Sequence, residues 1–428
     1  MNILIRLPNW LGDTVMFMPT IRLINKVYPN MKCILVGNDI STGLFCENEY
    51  IMKIFIDDSK KAINVIKRID SINALATSIN TYLEQSNLKL DCALTAQNNL
   101  FSAMLLSKIK VGMKIGYGDR NVFGVRKFIL THLIKFKSGR PPACNHQVLN
   151  YANLILPILP ASFFEEINLD KINYIANPNA SNLQNKLFSQ IGKLYIPNQE
   201  IKEQRKMSDV PIIAISPGAS YGKSKMWLPE YFSEISMTLI NKGYIVRIYG
   251  TKSEEEYNKH IENRILNILH KKHHNRLQNL TGKTTIQNLI YSLKQCSLYI
   301  GNDSGTMHIV KALEIPSIIF FGPMPLSWCA PWNPKYYQEQ FMPNTKNKYT
   351  NCNKNITNNL STSKKHQVLK LEIESNTETI SIDSSIVLKK NLPCMPCKKR
   401  VCPLSHHNCM KLITPDEVLI LAESLLLQ

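Results

Sequence analysis

One stretch limits the fold more than any other. Residues 301–308 read Gly-Asn-Asp-Ser-Gly-Thr-Met-His, between a short apolar run, Ser297-Leu298-Tyr299-Ile300, and a helix-like run, Ile309-Val310-Lys311-Ala312-Leu313. The first run reads as a strand. Asp303 and Ser304 are good N-cap residue types, and Gly305 lets a ligand approach the backbone. A strand that ends in a small polar turn and opens a helix aims free N–H groups and the positive helix end at one place. That place suits an anion, and a nucleotide diphosphate fits it. His308 falls in the first helical turn, within reach of the same ligand. An ordinary strand-to-helix connection with a capped helix would look alike, because such turns recur across α/β folds.

Two series of strands and helices frame this turn. In the first half Ile3–Leu7, Met31–Val36, Ile51–Ile56 and Cys92–Thr95 read as strands. Asp13–Val27, Ile63–Leu83 and Asn98–Leu106 read as helices, with a bend or break expected at Pro19. The second series is Pro211–Ile215, Tyr244–Tyr249, Cys296–Ile300 and Ser317–Phe321. Such alternation gives a parallel sheet with helices on both faces. The fold class is therefore α/β: two Rossmann-like doubly wound domains in tandem, facing across a cleft. The first spans 1–195, acceptor-side once a function is assigned, and the second spans 211–343. Residues 177–210 read as a polar, irregular connection. A low-complexity insertion is expected over 344–390; its part 344–365 is rich in Asn, Lys, Thr and Ser, and 368–387 alternates enough for a hairpin. Residues 391–428 hold a Cys-rich segment and a closing helix, with Thr414 as N-cap, Pro415 at N1 and Glu417 at N3.

Composition bounds the classes. A chain of 428 residues, 44% hydrophobic and 19% charged, has the size and make-up of about two globular domains. It has no apolar run of the ~18 residues that a membrane span needs. The start, Met1-Asn2-Ile3-Leu4-Ile5-Arg6, reads as a strand and not as a signal peptide. A cytoplasmic setting follows as an expectation, with the 11 cysteines mostly reduced. The net charge of +19 suits an anionic partner, whether nucleic acid, membrane surface or phosphorylated substrate. General Lys, Asn and Ile abundance would raise the charge as well, so charge alone chooses no function.

Three further turns carry chemistry. Arg6-Leu7-Pro8-Asn9-Trp10-Leu11-Gly12-Asp13-Thr14 follows the first strand, where open α/β sheets bind ligands. Asp13 is either an N-terminal capping group or a general base in the cleft. A helix N-terminus stabilises the carboxylate and weakens it as a base, so burial or an approaching hydroxyl would have to offset that. Ser216 to Pro229 follows the first strand of the second domain; its small residues with Lys223 and Lys225 suit a diphosphate, Lys223 being the better candidate for plain surface charge. Tyr249-Gly250-Thr251-Lys252-Ser253-Glu254 ends a strand with an acidic helix start, a place for a ribose contact. Two readings fail. Gly282-Lys283-Thr284 looks like the end of a P-loop, yet Leu277 stands where the first glycine is needed. No Gly-x-Gly-x-x-Gly follows a strand, which argues against a dinucleotide oxidoreductase.

Read in order, Arg-Leu-Pro-Asn-Trp-Leu-Gly-Asp at 6–13, Ser-Pro-Gly-Ala at 216–219, Lys-Met-Trp-Leu-Pro at 225–229, Leu-Thr-Gly-Lys-Thr at 280–284, Asn-Asp-Ser-Gly-Thr-Met-His at 302–308 and Phe-Phe-Gly-Pro at 320–323 resemble the family 9 glycosyltransferases. These are the ADP-heptose:lipopolysaccharide heptosyltransferases, and the 8–13 start is more like heptosyltransferase II than I. The resemblance implies the GT-B fold, an ADP-heptose donor, inversion at the anomeric carbon and no metal for catalysis. It implies Asp13 as the base. On the donor side it implies Ser220, Lys225 and Glu254, then Lys283 and Thr284 near the adenine. Asp303, Ser304, Gly305, Thr306 and His308 would hold the sugar and diphosphate. Asn9, Trp10, Gly12, Asn98 and Ser102 would lie on the acceptor side. The implied acceptor is the lipid A–Kdo core at the inner face of a bacterial inner membrane, with peripheral contact to anionic lipid and no nucleic acid. Another sugar donor or acceptor on the same fold is the nearest alternative; a nucleic-acid- or zinc-binding module is the one from another class.

The chain departs from the family in its insertion and its cysteines. Cys394, Cys397, Cys402 and Cys409 are spaced C-x2-C-x4-C-x6-C, with His406 and His407 between the last two. In a reducing compartment that spacing admits a structural zinc; packed thiols or disulfides are the other readings.

Overall fold

The computed structural model describes residues 1–45, 48–118, 124–135, 146–165, 181–197, 209–341 and 377–427. Two sheets organise them. In the first, β1 (Asn2–Arg6), β2 (Lys32–Gly37), β3 (Ile51–Ile56), β4 (Cys92–Thr95), β5 (Met113–Gly118) and β6 (His132–Lys135) lie in the order β3-β2-β1-β4-β5-β6. Every pairing is parallel. The second sheet holds β7 (Ile212–Ser216), β8 (Ile245–Ile248), β9 (Leu277–Asn279), β10 (Leu298–Asn302), β11 (Ser317–Phe321), β12 (Thr377–Ile382) and β13 (Ser385–Lys390). Its order is β12-β13-β11-β10-β7-β8-β9, parallel except where β12 runs against β13. Strand order reverses at β1/β4 in one sheet and at β7/β10 in the other. A crevice opens at such a switch point. The turns at 7–13, 216–219 and 302–308 all leave strands at these two places.

Strand alternation explains the layers. Ile3 and Ile5 enter one core cluster while Leu4 enters another, and Tyr299 parts from Leu298 and Ile300 in the same way. Both faces of β1 and of the strand 298–302 are therefore covered, as their apolar runs predict. The cluster holding Ile3 and Ile5 also contains Met307, Ile309 and Trp332 from the second half. The two halves meet through helix α1 (Leu11–Val27) and the helix that follows β10.

Helix α1 runs unbroken through Pro19, against the expected bend or break. A proline inside a helix costs about 3 kcal/mol. Phe17, Met18, Ile21 and Ile24 are all buried around it, and each contributes roughly 1.5–3 kcal/mol. Burial wins. Further helices are α2 (Val65–Gln85), α3 (Leu100–Lys108), α4 (Gln147–Asn153) and α5 (Ser181–Ile191). Helix α5 falls within 177–210, so that stretch is not irregular throughout; Leu183, Leu187 and Ile191 bury one of its faces.

In the second half α6 (Pro229–Asn241), α7 (Glu255–Ile268), α8 (Ile286–Lys294), α9 (Gly305–Ala312), α10 (Pro334–Phe341) and α11 (Pro415–Leu426) flank the sheet. The β12–β13 hairpin extends this sheet, so the second domain's strands continue past 343, with a hairpin near the stretch whose alternation predicts one. Ser317 and Ser385 hydroxyls meet across β11 and β13 at 2.9 Å, and Lys311 of α9 bonds Asp383 at the hairpin turn at 2.6 Å. The Asn/Lys-rich stretch 344–365 lies outside the described residues. The closing helix starts as its sequence requires: Glu417 accepts from the Thr414 amide at 2.9 Å, and Thr414 Oγ1 accepts from the Glu417 amide.

Candidate active site

The turn after β1 is fixed by side-chain amides from two neighbouring strand ends. Gln97 Nε2 donates to Leu7 O at 2.7 Å and to Asn9 Oδ1 at 3.1 Å, and Asn38 Nδ2 donates to Asn9 O at 3.0 Å. Trp10 then takes the N-cap position of α1 with no side-chain cap bond. The first amides of α1 are left for something else. Opposite stands the start of α9, where Ser304 occupies the N-cap position and likewise makes no cap bond. The two helix starts touch. A methyl carbon on Gly12 would lie 2.8 Å from His308 Cδ2, and one on Gly305 would lie 3.1 Å from the Gly12 amide nitrogen. Glycine at 12 and 305 is what lets the domains close on each other here.

Asp13 sits in the first turn of α1, half-buried at this junction. The Tyr151 hydroxyl, from α4, donates to its Oδ1 at 3.0 Å. Tyr151 is in turn packed edge-on to Phe17, centroids 5.3 Å apart. Burial raises the Asp13 carboxyl above its ordinary range; the Tyr151 bond and the Lys225 charge pull it down, and Asp303 pushes it up. The balance is upward. Burial thus works against the helix start, and the carboxyl holds a proton more readily than an ordinary aspartate.

The second domain supplies charge. Lys225 and Asp303, both buried, pair at 2.5 Å. Burial works to lower the Lys225 pKa, but Asp303 and Cys329 outweigh it and hold the ammonium above its ordinary value. The Cys329 thiol donates to both Asp303 oxygens at 3.6 and 3.7 Å. Asn302 binds its own turn to both ends of the 216–229 loop: its Oδ1 accepts from the Trp227 amide at 2.9 Å, and its Nδ2 donates to Pro217 O at 2.6 Å. His308 is buried and pushed down to about 3, by burial first and then by His146 and Lys225, so its ring is neutral. Its Nδ1 has no hydrogen-bond partner.

The other sequence candidates scatter. Glu254 lies beside this group: its Oε2 closes the cap on Thr251, accepting the amide at 2.7 Å, while Oε1 lies where a methyl on Gly218 would be. Lys283 and Thr284 follow β9, with Lys283 Nζ on Asn279 O at 2.9 Å, and Ser220 and Asn98 are exposed. Thr306 is half-buried in the first turn of α9. Ser102 is buried at the start of α3: its amide donates to Asn99 Oδ1 at 2.9 Å, which caps the helix, and its hydroxyl donates to Asn99 O at 2.8 Å. Tyr151, Cys329 and the buried Arg126, which donates to Tyr117 O at 3.0 Å and Gln97 O at 3.3 Å, were invisible in sequence. Nothing next to them in the chain marks them.

Cys394, Cys397, Cys402 and Cys409 are unbridged in this structure. Cys409 is pushed up to about 12, by burial first and then by Cys397, Cys402 and Cys394 beside it. Among the described residues no three His, Cys, Asp or Glu side chains are arranged to hold a metal ion.

Comparison with known proteins agrees with this geometry. The profile of glycosyltransferase family 9 (heptosyltransferase) matches residues 84–358, more than half of the chain. Lipooligosaccharide heptosyltransferase 2 of Campylobacter jejuni serotype O:2 is 26% identical over 431 aligned positions, covering 100% of this chain and 98% of that protein. Lipopolysaccharide heptosyltransferase 2 of Salmonella typhimurium is 33% identical over 116, covering 27% and 32%. The solved E. coli ADP-heptose heptosyltransferase II superposes with a TM-score of 0.65 at 19% identity, covering 100% of this chain and 99% of that one. An E. coli heptosyltransferase solved with ADP-2-deoxy-2-fluoro heptose gives 0.50 at 15% identity, covering 79% and 98%. The fold is GT-B, as expected, and the chain belongs to glycosyltransferase family 9, the heptosyltransferases.

Proposed function

We propose that this glycosyltransferase moves L-glycero-D-manno-heptose from ADP-heptose to the lipid A–Kdo inner core of lipopolysaccharide. Asp13 takes the proton of an acceptor hydroxyl. That oxygen bonds the anomeric carbon as the bond from this carbon to the diphosphate oxygen breaks, and ADP leaves with the electron pair. One displacement inverts the centre. Lys225 and the free amides at the start of α9 take up the charge that develops on ADP. Tyr151 holds Asp13 in place, Glu254 faces the ribose and Lys283 and Thr284 the adenine.

One observation carries this reading: a carboxyl raised by burial on one wall faces a buried ammonium on the other, at the contact of two helix starts without side-chain caps. The named relatives act as heptosyltransferases, which favours heptose over other sugars. The test is mass spectrometry of the purified protein with ADP-heptose and Kdo-lipid A or heptosylated core acceptors. One heptose added per ADP released is expected, with EDTA making no difference. Transfer of a different sugar, with none of heptose, would overturn the reading.

The same reading places the enzyme at an anionic membrane surface on the cytoplasmic side. No described helix is long and apolar enough to cross a membrane. At the start of α2, however, Ile63, Val65 and Ile66 are 87%, 62% and 71% exposed, next to the exposed Lys60 and Lys67. Apolar side chains collared by lysine suit the interface of anionic lipid. Co-sedimentation with phosphatidylglycerol vesicles should fall on Ile63→Asp/Ile66→Asp while turnover on a water-soluble acceptor holds. Equal sedimentation of both proteins would remove the patch from that role.

A further inference from the structure

The Cys-rich segment grips the loop that carries Lys225. Ser224, directly before the lysine, is bonded to it at every polar atom. Its amide donates to Arg400 O at 3.1 Å, its hydroxyl donates to Lys399 O, and its carbonyl accepts from His407 Nε2 at 3.2 Å. The Tyr221 hydroxyl donates to Lys398 O at 2.9 Å. Gly222, at φ +155°, lets the segment come this close: a methyl there would lie 2.5 Å from Arg400 O. The segment is itself anchored to the β11 exit, where the Lys398 amide donates to Pro323 O at 2.9 Å.

The grip bears on Lys225 because the lysine's own amide donates to Gly222 O at 3.1 Å, inside the gripped turn. Its ammonium lies 5.0 Å from the Tyr221 ring centre, and the Arg400 guanidinium lies 5.3 Å from the same ring. Lys398, Lys399, Arg400 and Val401 are all exposed, so little apolar burial holds the segment there. Polar bonds to the loop are most of what it does locally.

We infer that residues 398–407 are a positioning element for the donor: they fix Ser224, and through it Lys225, where the diphosphate of a nucleotide sugar binds. The assignment rests on the reading of Lys225 as a phosphate contact. Nothing in the sequence links the segment to residues 221–225, more than 170 positions earlier.

The test uses the full chain and ADP as the probe, by calorimetric titration, with steady-state kinetics alongside. Tyr221→Phe and His407→Ala each delete one bond and should weaken ADP binding about three- to tenfold, the worth of one hydrogen bond. KM for the nucleotide sugar should rise with it and KM for the acceptor should not. His407→Gln keeps an N–H donor and should recover much of the loss. A purely structural segment would lower Tm and leave the ADP affinity of the folded protein unchanged. Wild-type ADP affinity in folded Tyr221→Phe and His407→Ala, with Lys225→Ala weakened, would overturn the positioning role alone. If Lys225→Ala itself binds ADP like wild type, the donor reading falls first and this inference with it. Tyr221→Phe removes one oxygen from a half-buried side chain, so a folded variant is available whatever His407→Ala does.

Discussion

The two walls of the cleft are built on opposite electrostatic plans. The first-domain wall keeps one carboxyl, Asp13, short of solvent and gives it a single strong partner in Tyr151. The second-domain wall pairs its charges: Lys225 on Asp303, Asp303 on Cys329, and beside them a neutral His308. Under-solvation makes a base, because the charged form is not fully compensated. Pairing makes a reserve, because an ammonium held by one carboxylate still has donors for an incoming phosphate. Asn64, Asn99, Thr285 and Thr414 cap their helices with side chains, whereas α1 and α9 start without such a bond, as do α6 and α7. The starts of α1 and α9 differ from α6 and α7 in touching each other across the domain contact.

The largest effect should come from removing the base. Asp13→Asn is expected to cut turnover by roughly 10²–10⁴-fold while ADP affinity stays near wild type. Turnover close to wild type would erase the difference between the walls. Stability tells the same story with a worked sign. The folded pKa of Asp13 lies above the unfolded one, so its favourable contribution is complete below the unfolded pKa and is lost as pH rises through the folded pKa. At neutral pH Asp13→Asn should therefore melt above wild type, with the gap closing in acid. A lower Tm at neutral pH would give the residue back to helix capping.

Next comes the charge reserve. Lys225→Ala should weaken ADP about 10- to 100-fold, as expected for a buried charge-assisted contact. Asp303→Asn should also weaken it, because burial alone lowers the Lys225 pKa and the partner that restores the charge would be gone. Titration calorimetry of both variants measures this. Unchanged affinity in both would mean that the diphosphate lies elsewhere.

Much of this contrast was legible in the sequence. Strands β3, β4 and β11 fall where their apolar runs end, at Ile51–Ile56, Cys92–Thr95 and Ser317–Phe321. Strands β5 and β6 were not read, since Gly116 and Gly118 interrupt one and only two apolar residues, Leu133 and Ile134, stand between the polar ends of the other. Asp13, Lys225, Asp303 and His308 were found because each follows a strand end in a turn of small residues. Tyr151 and Cys329 reach the same site from α4 and from the turn after β11, and neither position carries a local mark.

The base's partner offers a finer test. Tyr151→Phe removes a hydrogen bond that holds the Asp13 pKa down, so the acid limb of kcat/KM should move to higher pH. Turnover well above the limb should change by about tenfold or less, since Asp13 itself remains. A limb that stays in place would mean that Tyr151 is packing and not tuning. A limb that moves to lower pH would contradict the geometry of the bond.

The smallest effect should be at Lys223, and its smallness matters. Lys223 and Lys225 are two positions apart in one turn, and the sequence reading already favours Lys223 as plain surface charge. The structure separates them: Lys225 is buried against Asp303, and Lys223 is exposed. An exposed charge is screened by salt and keeps its hydration, so it contributes about 1 kcal/mol or less. Lys223→Ala should shift ADP affinity by about twofold at low ionic strength and not measurably at 0.5 M salt. Lys225→Ala should keep most of its loss at both. Parallel salt dependence in the two variants would show that the second wall works by general positive potential, and the pairing with Asp303 would then have no part in holding the donor.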